Sequence, residues 1–108
     1  MQIVTAEQDN RVYHDLVTKL DAEPITAGTV AFYLLAQNGD NVGKWWAAAT
    51  ATWESTQESA GAGTFVGGST WYTEIDAAAW EQEVQYQLMA MDSGDLAIAY
   101  SCEVVCTS

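Results

Sequence analysis

Few side chains in this sequence are of a type and spacing that could do chemistry: one histidine, two cysteines and fifteen carboxylates, beside an unusual set of five tryptophans. His14 lies in Tyr13-His14-Asp15-Leu16-Val17-Thr18-Lys19-Leu20, an alternating stretch with no obvious nucleophile beside it. Nucleophile-elbow, phosphate-loop and H-E-x-x-H spacings are absent. His14 therefore reads as a structural or surface residue, and no catalytic residue is assigned. Paired carboxylates can act as acid and base in glycoside hydrolysis, but here they are scattered through turns and solvent faces, where they serve solubility. Gly39-Asp40-Asn41 and Asp92-Ser93-Gly94-Asp95 carry the oxygens that calcium prefers. Neither resembles an EF-hand loop, and turn chemistry explains both. No metal and no cofactor is expected, and the chain is not read as an enzyme.

Cys102 and Cys106 fall in Leu96-Ala97-Ile98-Ala99-Tyr100-Ser101-Cys102-Glu103-Val104-Val105-Cys106, which reads as a strand. Four steps of extended chain put their α-carbons about 13 Å apart, beyond the ~7 Å reach of a disulfide. Both face one side of the sheet and are expected to be reduced, inward-facing thiols. A zinc site lacks ligands, because His14 is the only histidine and there is no second cysteine pair.

The tryptophans are Trp45, Trp46, Trp53, Trp71 and Trp80, more than one small core normally needs. Adjacent Trp45 and Trp46 in a strand must face opposite sides, so at least one is expected to leave the interior. The plain reading is an aromatic core with a partly covered rim; the functional readings are a protein–protein hot spot, where Trp is enriched, and a sugar-stacking platform. The expected contact residues are Trp45 and Trp46, Phe65 and Val66 in a glycine-rich stretch, and Ile3 and Val4 near the start.

The elements that must position these groups are short strands. With 108 residues the chain has room for one domain. Thr29-Val30-Ala31-Phe32-Tyr33-Leu34-Leu35-Ala36 is the clearest central strand, with Val30, Phe32 and Leu34 on one face and Ala31, Tyr33 and Leu35 on the other. Leu16 and Leu20 share a face earlier, and Asp21-Ala22-Glu23-Pro24 then turns the chain. Asn38-Gly39 signals a tight hairpin. Residues 44–49 read as strand or short helix, and Trp53 begins another short strand. The stretch 59–69 holds Gly61, Gly63, Gly67 and Gly68 and reads as a long, mobile surface loop. Thr70 to Ile75 alternates, Asp76 caps a single helical turn, Val84 to Ala90 alternates again, and a hairpin at Asp92–Asp95 leads into the last strand. The expected fold is all-β, one antiparallel sandwich of about seven strands with at most one short helical turn. Residues 1–10 are expected to form an N-terminal arm that carries Ile3 and Val4 to a neighbouring subunit, and residues 11–108 the sandwich.

Charge narrows the partners. Three basic and fifteen acidic side chains leave a net charge of −12. Such a chain repels phosphate backbones and anionic lipid, so neither nucleic acid nor membrane is an expected partner. Nor does any run approach the ~18 apolar residues of a membrane span. The first residues have neither the basic nor the long apolar region of a secretory signal. Together with the free thiols, this points to production in the cytosol.

The pattern resembles small immunoglobulin-like β-sandwich proteins encoded among the virion structural genes of tailed bacteriophages. The resemblance spans residues 12–105. It rests on Asp15-Leu16-Val17, then Pro24-Ile25-Thr26-Ala27-Gly28-Thr29-Val30-Ala31-Phe32-Tyr33-Leu34, then Gly39-Asp40 and Trp45. The glycine-rich 60–68, Trp71, Tyr86-Gln87-Leu88 and Asp92-Ser93-Gly94-Asp95 complete it. These are signals at the level of fold; the Trp45-Trp46 pair and the scarcity of lysine lie outside them. The resemblance implies an immunoglobulin-like sandwich and a capsid decoration, neck or tail-associated role with no catalytic motif to carry over. The implied partners are other copies of the chain and other virion proteins such as the capsid, assembled into the virion in the host cytoplasm. The alternative expectation is a carbohydrate-binding or adhesion module using exposed tryptophans.

Overall fold

The computed structural model describes residues 1–18, 21–93 and 101–107. Lys19, Leu20, the hairpin residues Gly94 and Asp95, and the expected strand start from Leu96 to Tyr100 lie outside the described residues. Among those described, ten strands and one 3-10 turn form an all-β fold of two sheets. The strands are β1 (Gln2–Thr5), β2 (Asn10–Asp15), β3 (Val30–Ala36), β4 (Trp45–Ala47) and β5 (Thr52–Glu54). They continue with β6 (Gly61–Ala62), β7 (Thr64–Gly67), β8 (Thr70–Ile75), β9 (Gln85–Asp92) and β10 (Ser101–Thr107).

The larger sheet runs β1-β10-β9-β3-β4-β5, with β6 also on β3; the smaller runs β2-β8-β7. All neighbours are antiparallel except β1, which runs parallel to β10 with Val4 beside Cys106. The expected purely antiparallel sandwich of about seven strands is thus corrected to a mixed one of more and shorter strands.

Period-two alternation decides which side chains meet between the sheets. Phe32 and Leu34 from β3, Tyr86 and Leu88 from β9, and Val104 from β10 point inward from the large sheet. Val12 from β2 with Trp71 and Ile75 from β8 meet them from the small sheet. Tyr86 anchors one end of this core. Its hydroxyl donates to the Ala79 carbonyl at 3.0 Å and accepts from the Glu81 N–H at 2.9 Å, tying β9 to the segment before it. That segment begins with the expected cap: the Asp76 carboxylate accepts from the Ala78 N–H at 2.8 Å at the head of the turn Ala77–Ala79.

Three expectations about segments are corrected. The expected arm is instead the first strand: Val4 is 3% exposed in the core. The Gln2 side chain also pairs with the Tyr13 backbone, accepting from its N–H at 2.8 Å and donating to its carbonyl at 2.6 Å. This amide acts as one more rung and clips β1 to β2 across the two sheets. Between β3 and β4 the Asn-Gly pair does not make a two-residue hairpin. The ladder closes with the Gly43 N–H on the Ala36 carbonyl at 2.9 Å, leaving a wider loop in which Gly39 takes a φ of 80°.

The glycine-rich stretch is likewise two strands, not a long loop. β6 adds to β3, and β7 adds to β8 in the other sheet. The glycines serve close approach. A Cβ on Gly61 would collide with the Thr73 hydroxyl, and one on Gly63 would press on Val30 and Phe32 at 3.0–3.1 Å. Only bare backbone passes from one sheet to the other there.

Candidate interaction surface

The six expected contact residues do not converge. Val4 and Trp46 (2% exposed) are core and have no surface to offer. The alternation that buries Trp46 turns Trp45 outward, as adjacent strand residues must. Ile3, 66% exposed, faces outward beside Val105. It shares the outer face of the large sheet with Trp45, but three strands separate β1 from β4. Phe65 and Val66 belong to the other sheet: Phe65 (36% exposed) leans on Trp71 with ring centres 5.4 Å apart, while Val66 (56%) is in solvent at a bulge.

Most of the surplus aromatic surface is interior packing. Trp46 meets Trp53 edge-on at 5.4 Å, Trp53 stacks on Tyr86 at 5.9 Å, and Trp80 meets Tyr86 edge-on at 5.1 Å. The buried indole N–H groups are satisfied, Trp71 by the Ile25 carbonyl at 2.7 Å and Trp80 by the Ile75 carbonyl at 3.2 Å. Trp45 is the tryptophan set on the outside of the sheet.

The residues around Trp45 went unassigned in the sequence. In register across the outer face, Trp45 stands beside Leu35, Leu35 beside Gln87, and Gln87 beside Glu103; on its other side Trp45 meets Glu54. One row therefore runs carboxylate, amide, leucine, tryptophan, carboxylate. The neighbouring rows add Tyr33 opposite Met89 and Ala31 opposite Met91. Tyr33 and Trp45 meet edge-on at 6.5 Å. Of these outward side chains Glu103 is exposed and the others are half-buried. The available signal was β3 itself, apolar on both faces: a strand of that kind needs cover on both sides.

The small sheet's outer face has the opposite character. Arg11 lies 4.5 Å over the Tyr72 ring and 3.8 Å from Glu74, and Asp15 accepts from the Thr70 hydroxyl at 2.7 Å. That face sets charges of both signs around a Tyr13–Tyr72 pair whose ring centres lie 5.8 Å apart, with Tyr13 exposed.

A cleft of about 670 Å³ opens where the edges of the two sheets meet, lined by Gln2, Tyr13, His14, Asp15, Thr70 and Cys102 among others. His14 Nδ1 is 2.8 Å from the Asp15 carbonyl oxygen, and Cys102 Sγ accepts from the Gln2 amide at 3.4 Å. Burial pushes the Cys102 thiol up, although the Gln2 hydrogen bond opposes the shift. Cys106 is also pushed up, by burial first and by Glu81 second. A raised thiol is the wrong direction for a nucleophile at neutral pH. Both cysteines are free and lie on one face of β10, as their spacing predicts. The outer face of the large sheet is thus where half-buried aromatic, leucine and methionine side chains collect. Compared with known proteins, the chain matches no family model, no curated protein and no solved structure.

Proposed function

We propose that this chain is a virion structural or assembly protein of a tailed bacteriophage, a capsid decoration or a neck or tail component, acting through protein–protein contacts. The observation that carries the contact reading is the outer face of the large sheet, where Tyr33, Leu35 and Trp45 make an apolar centre with Glu54 and Glu103 at its ends. An apolar centre inside a polar rim is the anatomy of a protein interface. The virion setting rests on the sequence resemblance. An immunoglobulin-like reading of the sandwich, of the variable type, is supported by two features. The order β1-β10-β9-β3-β4-β5 against β2-β8-β7 has the two additional strands of that type. The Tyr86 hydroxyl at the start of β9, bonded back to Ala79 and Glu81, matches a tyrosine corner.

The deciding experiment is imaging of assembled particles with and without the protein. Density for it at fixed, repeated positions on the capsid, neck or tail supports the proposal, and its absence from purified particles refutes it. The sugar-binding alternative draws on the Trp45–Tyr33 pair beside Gln87, an aromatic surface with an amide at its margin. Retention on a glycan column that Trp45→Ala abolishes would favour it.

A further inference from the structure

We propose that Asn38 is a self-modification site: the backbone nitrogen of Gly39 attacks its side-chain amide and converts it, through a cyclic imide, to aspartate and isoaspartate.

The chain has three asparagines, Asn10, Asn38 and Asn41. They differ in the features this reaction needs. The attacking group is the backbone nitrogen of the next residue, so a small neighbour with an unengaged N–H favours attack. Asn38 is followed by glycine, which has no Cβ to cover the approach. Among the described residues the Gly39 N–H donates to nothing, and both Asn38 and Gly39 are exposed. Asn10 is followed by Arg11 and Asn41 by the branched Val42.

The three amides are also held differently. Asn38 Oδ1 accepts from the Gln85 N–H at 2.9 Å. Attack on Cγ drives negative charge onto that oxygen, and a backbone N–H already at this distance acts as an oxyanion-hole donor. The nitrogen that must leave, Asn38 Nδ2, donates to nothing among the described residues. In Asn10 the same nitrogen is tied to the Thr5 and Gln8 carbonyls at 2.8 and 2.9 Å. In Asn41 it donates to the Glu81 carboxylate at 3.4 Å.

The fold keeps these groups in place. The Gln37 N–H donates to the Gln85 carbonyl at 2.9 Å, and the Asn38 amide takes the next rung by accepting from the Gln85 N–H. Gly39 has a φ of 80°, and a Cβ there would lie 3.1 Å from Val84. The loop needs glycine for its shape, and the reactive pair comes with it.

The step balances without an oxidant or reductant. The Gly39 nitrogen bonds to Asn38 Cγ and gives up its proton, the Cγ–Nδ2 bond breaks, and ammonia leaves. Water then opens the imide. Cleavage at Cγ leaves aspartate; cleavage at the backbone carbonyl leaves isoaspartate, with the main chain running through the former side chain. Either product adds a negative charge to a chain already at −12. Isoaspartate also lengthens the main chain by one carbon between β3 and β4.

The test is incubation of the folded full chain under warm, mildly alkaline conditions, with a parallel sample in denaturant. Peptide mapping by mass spectrometry and enzymatic detection of isoaspartate follow both, and circular dichroism checks that the first stays folded. Asn38 in the folded chain is expected to convert at least about tenfold faster than Asn10 or Asn41. It should convert no more slowly than in denaturant, give both products, and react faster as pH rises. Asn38→Asp marks the position of the aspartate product in the map, and Asn38→Gln, whose imide ring would be larger, is expected to stay unmodified there. An Asn38 that survives in the folded chain while the denatured one converts overturns the proposal. So does conversion of Asn10 or Asn41 at the same rate, or aspartate formed with no isoaspartate, which would mean direct hydrolysis without the ring.

Discussion

Tyr86 joins ring packing and hydrogen bonding in one side chain at the end of the core. Its ring touches Trp53 and Trp80, and its hydroxyl holds two backbone groups near the start of β9. Tyr86→Phe keeps the ring and leaves the Ala79 carbonyl and Glu81 N–H without that partner. The expected loss is about 1–3 kcal/mol, read by denaturant titration. Burial is the main cause that pushes the Tyr86 phenol up to about 12, against the lowering hydrogen bond from Glu81 and with smaller raising effects of Cys106 and Glu81. Its folded value lies above the unfolded one, ordinarily about 10. Its contribution is therefore complete below pH ~10 and is lost as pH rises toward 12, because the unfolded chain gives up the proton first. Wild type should lose stability across that window more steeply than Tyr86→Phe. The thiols allow a second test: alkylation in denaturant should add one label to each of Cys102 and Cys106, whereas in the native protein the buried Cys106 should resist. Loss of both labels in unreduced, denatured protein would instead reveal a bridge. The free pair was legible in the sequence because four extended residues outreach any disulfide.

At the scale of elements, alternation made the central strands legible. Val30, Phe32 and Leu34 point inward as their spacing predicts, and so do Trp71, Thr73 and Ile75. Alternation could not reveal pairing, and the two largest misreadings concern segments whose structure depends on a distant strand. Residues 2–5 look like an independent β-prone arm until β10, about a hundred residues on, is seen beside them. Gly61 and Gly63 look like loop residues because glycine weakens any strand pattern, yet the absence of a Cβ is what lets β6 and β7 lie where they do. The candidate face was half legible: Trp45 was singled out by its neighbour Trp46, but Leu35, Gln87 and Met89 gained meaning only through register. Since β1 is a strand of the core, removing residues 1–6 should lower thermal stability by well over the few degrees expected for a dispensable arm. Burial of Val4 alone is worth about 1.5–3 kcal/mol, and the Gln2 pairing with Tyr13 is lost as well. Thermal unfolding of the truncated chain measures this.

For the molecule as a whole, fifteen carboxylates against three cations make self-repulsion the main long-range force acting on the compact state. Arg11 and Glu74 form an exposed pair at 3.8 Å that offsets little of it. Adding salt should therefore raise the unfolding temperature, most steeply below ~0.1 M where screening changes fastest; a temperature that falls or stays flat would show that attractive pairs dominate. The parallel pairing of β1 with β10 carries a further consequence, for biosynthesis. Val4 meets Cys106, so its partner is added to the growing chain 102 residues later. At ~5–20 residues per second, that is roughly 5–20 s of translation. At the end of that interval, once β9 is complete at Asp92 and until β10 follows, β9 also lacks its β10 neighbour, and the middle of the large sheet stands open with its hydrogen-bonding groups exposed. A nascent chain of this protein is therefore most vulnerable to sticking until β10 (Ser101–Thr107) has emerged, and a chain truncated before Ser101 should aggregate where one that includes β10 closes the sheet.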